Sequence, residues 1–198
     1  MDVFLQGILW ALGGAVVTLV SFYFKRKESK LSDDLEFEQG LLSAVEKKNK
    51  VADELIALKT EIHAPRIIIL KSENGGGIPR ATDHVYLSVL DEVPDSNIHS
   101  IKHLVQKLPT DVAYNELIIK LVKEGGSTIF VKDMEDGILK TFYQSEGIEL
   151  SIVRPIVTLK DKFIYCSLAW KTTDVDLGRI EYYINSRINN IRNIYESE

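Results

Sequence analysis

An uncharged apolar segment, Val3 to Phe24, lies near the start of the chain and is followed directly by the basic cluster Lys25-Arg26-Lys27. As one helix, rising 1.5 Å per residue, such a segment can cross a hydrocarbon core of roughly 30 Å. A cleaved signal peptide would carry its basic residues before the apolar segment and would end in small residues. Here the order is reversed and the segment ends in aromatic residues. The sequence therefore predicts a retained transmembrane anchor over residues 1–24.

The basic residues next to this segment predict its orientation. Lys25, Arg26, Lys27 and Lys30 all follow the span, and positive charge tends to stay on the cytoplasmic side of a membrane. We therefore expect a single-pass protein of the inner (plasma) membrane, with its N-terminus outside and its C-terminal domain in the cytoplasm. The lipid bilayer is its first expected partner.

The composition of the 198-residue chain excludes some functions. Removing the anchor leaves one ordinary domain and a connector. A net charge of −5 gives no electrostatic support for nucleic-acid binding. Cys166 is the only cysteine, so an intramolecular disulfide is excluded, as suits a reducing cytoplasm.

Residues 25–62 are expected to form a basic juxtamembrane segment and a long amphipathic connector helix. Ser32 is a suitable N-cap, and Pro65 ends the helical pattern. The apolar positions of this helix form a partial heptad that lysines interrupt, so two interpretations of the helix stay open. The helix pairs with its copy in a homodimer, or its C-terminal half packs on the following domain. The apolar or small residues of the pattern are Leu41, Leu42, Val45, Val51, Ala52, Leu55, Ile56, Leu58 and Ile62.

Residues 63–198 alternate between strand and helix patterns. Strands are predicted over 66–71, 84–90, 128–131, 149–158 and 163–170, and helices over 98–108, 112–124, 136–146 and from about 173 onward. The last two strands flank a short polar turn and predict an antiparallel hairpin, in which Pro155 favours a bulge. Gly125 is expected to cap the helix that precedes it, and Thr173 to cap the last helix.

This order of elements resembles the GAF domain, a relative of PAS. The resemblance covers about Ser32 to Glu198 and includes the final hairpin followed by a long helix. It implies an α+β fold in which helices flank a central antiparallel sheet, with the first and last helices paired behind it. It also implies that the domain binds a small molecule or passes a signal between helices.

One glycine-rich segment is the candidate ligand site. Its glycines allow positive φ and expose backbone N–H groups that can form an anion nest, to which an arginine would add charge. A wide turn between two strands is the alternative interpretation. Ser88, near the end of the second predicted strand, is a further candidate. The predicted ligand-binding residues are Asn74, Gly75, Gly76, Gly77, Arg80 and Ser88.

No residue pattern predicts catalysis, a metal or a cofactor. The glycine-rich segment lacks the Gly-Lys-Ser/Thr ending of a nucleotide-hydrolase loop. His99 and His103 have helical spacing but lack a third ligand. Four aromatic residues could line a pocket, but aromatic residues on strands and helices more often belong to the core: Tyr86, Tyr143, Tyr165 and Trp170. We therefore expect a protein that is not an enzyme.

The favoured hypothesis is a membrane protein that presents a cytoplasmic GAF-like sensor or interaction domain without an output domain of its own. A small ligand or a cytoplasmic protein would then be its partner, and a signal would pass through a homodimer of the anchor and the long helices. The alternative is a small bacterial or phage accessory membrane protein. Such a lysis, exclusion or assembly factor would carry a purely structural soluble domain.

Overall fold

The computed structural model describes residues 23, 25, 36–73, 84–159 and 162–197. Among these residues, no helix is both long and apolar enough to cross a bilayer. Apart from residue 23, the predicted anchor falls outside the described residues, and it stays a prediction. The chain divides into two compact units, Met1–Glu46 and Lys47–Glu198.

Helical residues occur in both units. Residues 36–46 of the first unit are helical, and four of their apolar side chains are exposed: Phe37, Leu41, Leu42 and Val45. Residues 47–62 of the second unit are also helical and are called α1 here. His63 then takes a positive φ of 52°, and Pro65 follows, so α1 ends where the sequence predicts.

The second unit contains a six-stranded antiparallel sheet with the strand order β3-β2-β1-β6-β5-β4. The strands are β1 Arg66–Glu73, β2 Tyr86–Pro94, β3 Leu108–Pro109, β4 Ser127–Phe130, β5 Leu150–Thr158 and β6 Lys162–Trp170. The helices are α2 Val112–Glu124, α3 Ile138–Ser145 and α4 Leu177–Glu196, and a short 3-10 helix spans Val131–Asp133.

Alternate side chains of each strand enter two cores on opposite faces of the sheet, because successive residues of a strand point to opposite faces. In β1, Ile67 and Ile69 enter one core and Ile68 enters the other. The first, the α1–α4 core, buries Val51, Leu55, Leu58 and Ile62 of α1 against Ile180, Ile184, Ile188 and Ile191 of α4. The second, the α2–α3 core, packs Tyr114, Leu121, Leu139 and Phe142 against the sheet.

Several predictions of local structure are confirmed. Gly125 ends α2 with a φ of 75°, a left-handed conformation that favours glycine. The hairpin of β5 and β6 forms, and its register shifts between Pro155 and Val157, where the bulge is expected. The C-terminal half of the connector helix packs on the following domain, as the second of the two interpretations predicts.

The predicted helix over residues 98–108 is wrong. The segment forms turns and then β3, because residues of β2 bind several of its backbone groups. The backbone bonds within it are those of a single turn, from the N–H groups of Leu104 and Val105 to the carbonyl of Ile101. The carboxylate of Glu92 accepts hydrogen bonds from the N–H groups of Ile101 and Lys102, at 2.9 and 3.1 Å. The N–H of Val89 donates to the carbonyl of Val105 at 2.9 Å.

The predicted cap of the last helix is also displaced. Because α4 begins at Leu177, the capping position belongs to Asp176, whose Oδ1 accepts the N–H of Arg179 at 3.1 Å. Thr173 lies three residues earlier and only supplies a carbonyl to the N–H of Val175.

Candidate functional site

A cavity of about 80 Å³ lies between the sheet and helices α2 and α3. Its walls combine side chains from β1, β2, β3, β6, both helices and the loop that precedes β3. Nearly all of these side chains are apolar. The lining residues are Ile68, Leu70, Leu87, Ile101, Val105, Leu108, Tyr114, Ile138, Leu139, Phe142, Tyr143 and Ser167.

The hydroxyl of Tyr114 is the unpaired polar group in this wall. Tyr114 is 4% exposed, and its Oη has no hydrogen-bond partner among the described residues. Burying a hydroxyl without a partner costs about 1–3 kcal/mol.

Three further hydroxyls form a closed triangle beside the cavity. The Oη of Tyr143 lies 3.0 Å from Oγ of Ser151 and 3.2 Å from Oγ of Ser167, and the two serine oxygens are 3.1 Å apart. Burial raises the pKa of Tyr143, so its hydroxyl stays neutral and able to donate. The triangle ties α3 to β5 and β6 and thus fixes one wall of the cavity.

A single carboxylate holds the N-termini of the two helices that cover the cavity. Oδ1 of Asp111 accepts the N–H of Tyr114 at 2.8 Å, and Oδ2 accepts the N–H of Ile138 at 2.7 Å. Gly137 allows this close approach, because a Cβ at that position would lie 2.8 Å from Oδ2 of Asp111. The cap therefore couples α2 to α3.

Two more buried hydroxyls lie on the same face of the sheet. Oη of Tyr165 and Oγ of Ser72 form no hydrogen bond of ordinary geometry with the described residues, although the nearby Ser72 side chain partly offsets the effect of burial on the pKa of Tyr165. Phe163 stacks on Tyr165 with ring centroids 5.4 Å apart. Burial raises the pKa of Tyr165, so this hydroxyl is neutral as well.

The structure places only one of the predicted ligand-binding residues. Asn74, Gly75, Gly76, Gly77 and Arg80 lie outside the described residues. Ser88 is buried in β2, does not line the cavity, and accepts the N–H of Lys107 at its Oγ, at 2.9 Å. Ligand binding by these six residues stays a prediction.

Of the four aromatic residues considered as pocket residues, only Tyr143 lines the cavity. Tyr165 belongs to the same α2–α3 core, whereas Trp170 enters the α1–α4 core on the other face. Sequence reasoning missed Tyr114. A tyrosine on the apolar face of α2, three and seven residues before Leu117 and Leu121, was the available signal.

A buried ion pair supports the sheet beside this site. Arg66 is 1% exposed, and its Nε lies 3.2 Å from Oε1 of Glu92. Its Nη2 donates to the carbonyl of His99 at 2.7 Å and to Oε2 of Glu146 at 3.1 Å. The carboxylate of Glu92 is thus bound by Arg66 and by the backbone of the loop at Ile101 and Lys102.

The chemistry of the described residues offers no nucleophile or metal centre at this site. Among them, no group of three or more His, Cys, Asp or Glu side chains is placed to hold a metal ion. Cys166 is fully buried, and burial raises the pKa of its thiol.

Solved structures of GAF domains share this fold. The GAF domain of a two-component sensor histidine kinase from Bacillus halodurans matches with a TM-score of 0.53 and 13% identity, over 76% of this chain and 93% of that one. A GAF domain/HD domain protein from Geobacter sulfurreducens gives 0.56 and 10%, over 76% and 92%. A far-red cyanobacteriochrome photoreceptor gives 0.58 and 14%, over 87% and 97%.

At these identities the likeness concerns the fold alone. No protein-family model matches the chain, and no curated protein sequence matches it. The resemblance inferred from element order is confirmed at this level: the domain has a GAF-like α+β fold, with an antiparallel sheet flanked by helices.

Proposed function

We propose that this chain is a single-pass membrane protein whose cytoplasmic GAF-like domain senses a small ligand and passes the signal to a protein partner. GAF domains of the sensor-kinase class share its fold, which supports a sensory or interaction role. The observation that carries the proposal is the apolar cavity under α2 and α3, with the unpaired hydroxyl of Tyr114 in its wall.

The membrane part of the proposal rests on the uncharged segment Val3 to Phe24 and the basic residues that follow it. Alkaline carbonate extraction of membranes is the first test, and the full chain should stay in the pellet. A reporter fused after Glu198 is the second, and only a cytoplasmic reporter should be active. Release by carbonate, or activity of a periplasmic reporter, would contradict the anchor or its orientation.

The proposed signal path crosses the sheet. Ile68 of β1 lines the cavity, and its neighbours Ile67 and Ile69 pack in the α1–α4 core. A ligand that shifts β1 therefore acts on α1, since interiors packed at crystal-like density transmit small displacements. Arg187 of α4 binds Glu54 and Glu61 of α1, so the two helices respond together.

The size and lining of the cavity define the ligand class. Drug-sized ligands occupy about 300–1,000 Å³, whereas this cavity has about 80 Å³. We infer a molecule of a few heavy atoms, mainly apolar, with one acceptor atom for Tyr114. A small ketone has these properties. Xenon is the matched control probe, because it fills an apolar cavity but offers no hydrogen-bond acceptor.

The test uses the full chain in detergent, with the methyl groups of Ile68 and Leu139 observed by NMR. Acetone and 2-butanone should shift both signals, and xenon should shift them as well. In Tyr114→Phe, ketone binding should weaken about tenfold while xenon binding is unchanged. Absence of any shift at the cavity, or equal weakening of both probes, would reject this ligand site.

We propose that the helical segment 36–46 pairs with its copy in a homodimer, and that this pairing passes the signal to the protein partner. Phe37, Leu41 and Val45 recur every four residues on this helix and are all exposed. Leu41→Glu should convert a dimer into a monomer in analytical ultracentrifugation, and Glu38→Gln should not. A wild-type chain that is monomeric at all concentrations would exclude this route.

A further inference from the structure

Strand β4 forms one edge of the sheet. It is the last strand in the order and pairs with β5 alone among the described strands. An edge strand presents backbone N–H and C=O groups that can pair with another extended chain. Addition of a peptide strand to such an edge is a common mode of peptide recognition.

The register identifies which backbone groups face outward. The N–H of Val131 donates to the carbonyl of Glu149 at 2.9 Å, next to the pair Phe130↔Leu150. In an antiparallel ladder this makes Phe130 a non-hydrogen-bonded position, whose N–H and C=O point away from β5. Thr128, two residues earlier, has the same orientation. The carbonyl of Phe130 is used by the 3-10 helix that begins there, whereas no described residue outside the sheet pairs with the N–H groups of Thr128 and Phe130 or with the carbonyl of Thr128.

An open cleft of about 460 Å³ lies along this edge. Helix α2 bounds it on one side, and the segment from the 3-10 helix to α3 bounds it on the other. Leu117, Ile129 and Leu139 contribute apolar surface to the cleft, so side chains of an added strand would find apolar contacts there.

The charges at the cleft favour a basic occupant. Glu116, Asp133 and Glu135 line it and form no ion pair with the described residues. Two lysines, Lys120 and Lys140, also line the cleft. Lys140 is already engaged, because its Nζ lies 2.7 Å from the carbonyl of Met134 and 2.9 Å from Oδ1 of Asp136. Lys120 lies 4.0 Å from Oε2 of Glu124. Acidic charge is thus left available in the cleft.

We propose that β4 and this cleft bind an extended segment of a partner protein with alternating apolar and basic residues. Its backbone pairs with the N–H and C=O of Thr128 and with the N–H of Phe130, and its basic side chains contact Asp133 and Glu135. This proposal specifies the class of protein partner for the interaction role proposed above, and it rests on that proposed function. It is distinct from the cavity of Tyr114.

The binding test uses the full chain in detergent and two synthetic peptides, acetyl-(Val-Lys)₃-amide and acetyl-(Val-Glu)₃-amide. We expect the basic peptide to bind at least tenfold tighter by isothermal titration calorimetry. It should also slow hydrogen exchange at the amides of Thr128 and Phe130. Equal affinities, or protection elsewhere without protection of these two amides, would overturn the proposal.

Substitutions distinguish the contribution of backbone pairing to peptide binding from the contribution of charge. Thr128→Pro removes an outward N–H at an edge position where proline is tolerated, and should weaken the basic peptide at least tenfold, whereas Thr128→Val should not. The double variant Asp133→Lys, Glu135→Lys should prefer the acidic peptide, which keeps the proposal testable if the proline variant does not fold. Unchanged preference would overturn it.

Two controls separate peptide binding at this edge from ligand binding in the cavity and from self-association of the chain. Tyr114→Phe should leave peptide binding unchanged, so failure of the ligand cavity and failure of the cleft are observed separately. If Thr128→Pro converts a wild-type dimer into a monomer without peptide, a second copy of the chain occupies the edge. That result would overturn the proposal of a basic partner segment.

Discussion

The carboxylate of Asp111 accepts the backbone N–H of Ile138 at 2.7 Å, across 27 positions of the chain. The same carboxylate caps α2 through the N–H of Tyr114. Because α2 and α3 cover the cavity, this one side chain fixes the spacing between the N-termini of the two helices.

Loss of the shared cap should cost more than loss of an ordinary one. We expect Asp111→Ala to lower the free energy of unfolding by about 2–3 kcal/mol, because a single N-cap contributes about 0.5–2 kcal/mol and two are lost. Asp176→Ala removes only the cap of α4 and should cost about 1 kcal/mol. Urea unfolding followed by circular dichroism measures both. Equal losses in the two variants would show that the bond to Ile138 contributes little.

The same substitution at two buried tyrosines should have opposite effects. Tyr143→Phe breaks the hydroxyl triangle and leaves Ser151 and Ser167 one partner short, so we expect a loss of about 1–2 kcal/mol. Tyr114→Phe removes an unpaired buried hydroxyl and should raise the free energy of unfolding by about 1 kcal/mol. Thermal and urea unfolding without added ligand report the signs. Destabilisation by Tyr114→Phe would indicate that its hydroxyl is already bonded.

Arg66 should be among the most sensitive positions for stability. Arg66→Met leaves the buried carboxylate of Glu92 without its cation, and breaking such a pair costs about 3–5 kcal/mol. Lys120→Met is the control, since Lys120 is half exposed and lies 4.0 Å from Glu124. It should change stability by less than about 1 kcal/mol. A loss at Arg66 no larger than the loss at Lys120 would contradict the structural role of the buried pair.

The contact between α1 and α4 should weaken in acid. Hydrogen bonds from Arg187 lower the pKa of Glu61 below its ordinary 4.5, against a smaller effect of burial. A lowered folded-state pKa stabilises the fold above pH 4.5, and this contribution disappears as the pH falls through the folded-state pKa.

Glu61→Gln should therefore lower stability at pH 7 by up to about 1 kcal/mol, and the difference from wild type should vanish in strong acid. Urea unfolding between about pH 7 and about pH 3 measures this difference. Glu196→Gln is the control, because this exposed carboxylate forms no ion pair with the described residues. A difference that persists unchanged at the acid end of this range would exclude ionisation of Glu61 as its cause.

Local pattern and local chemistry determined much of the fold. Patterns of apolar residues predicted a strand at β1 and a helix at α4, and both elements are buried in the structure. Gly125 and Pro155 predicted a helix end and a bulge, because glycine adopts a left-handed backbone without strain and proline has no N–H to pair in a strand. Such signals act within a few residues and can be read along the chain.

Contacts between distant segments were decided only in the tertiary structure. The pattern of residues 98–108 is compatible with a helix, but Glu92 and Val89 bind its backbone and hold it against β2. Likewise, the sequence around Ile138 does not predict its hydrogen bond to Asp111, and the sequence around Arg66 does not predict its contact with Glu146. Periodicity reports that a face is buried, but the partner of each polar group depends on which segments folding brings together. The cavity of Tyr114 is a product of that assembly, since six elements and a loop each contribute only part of its wall.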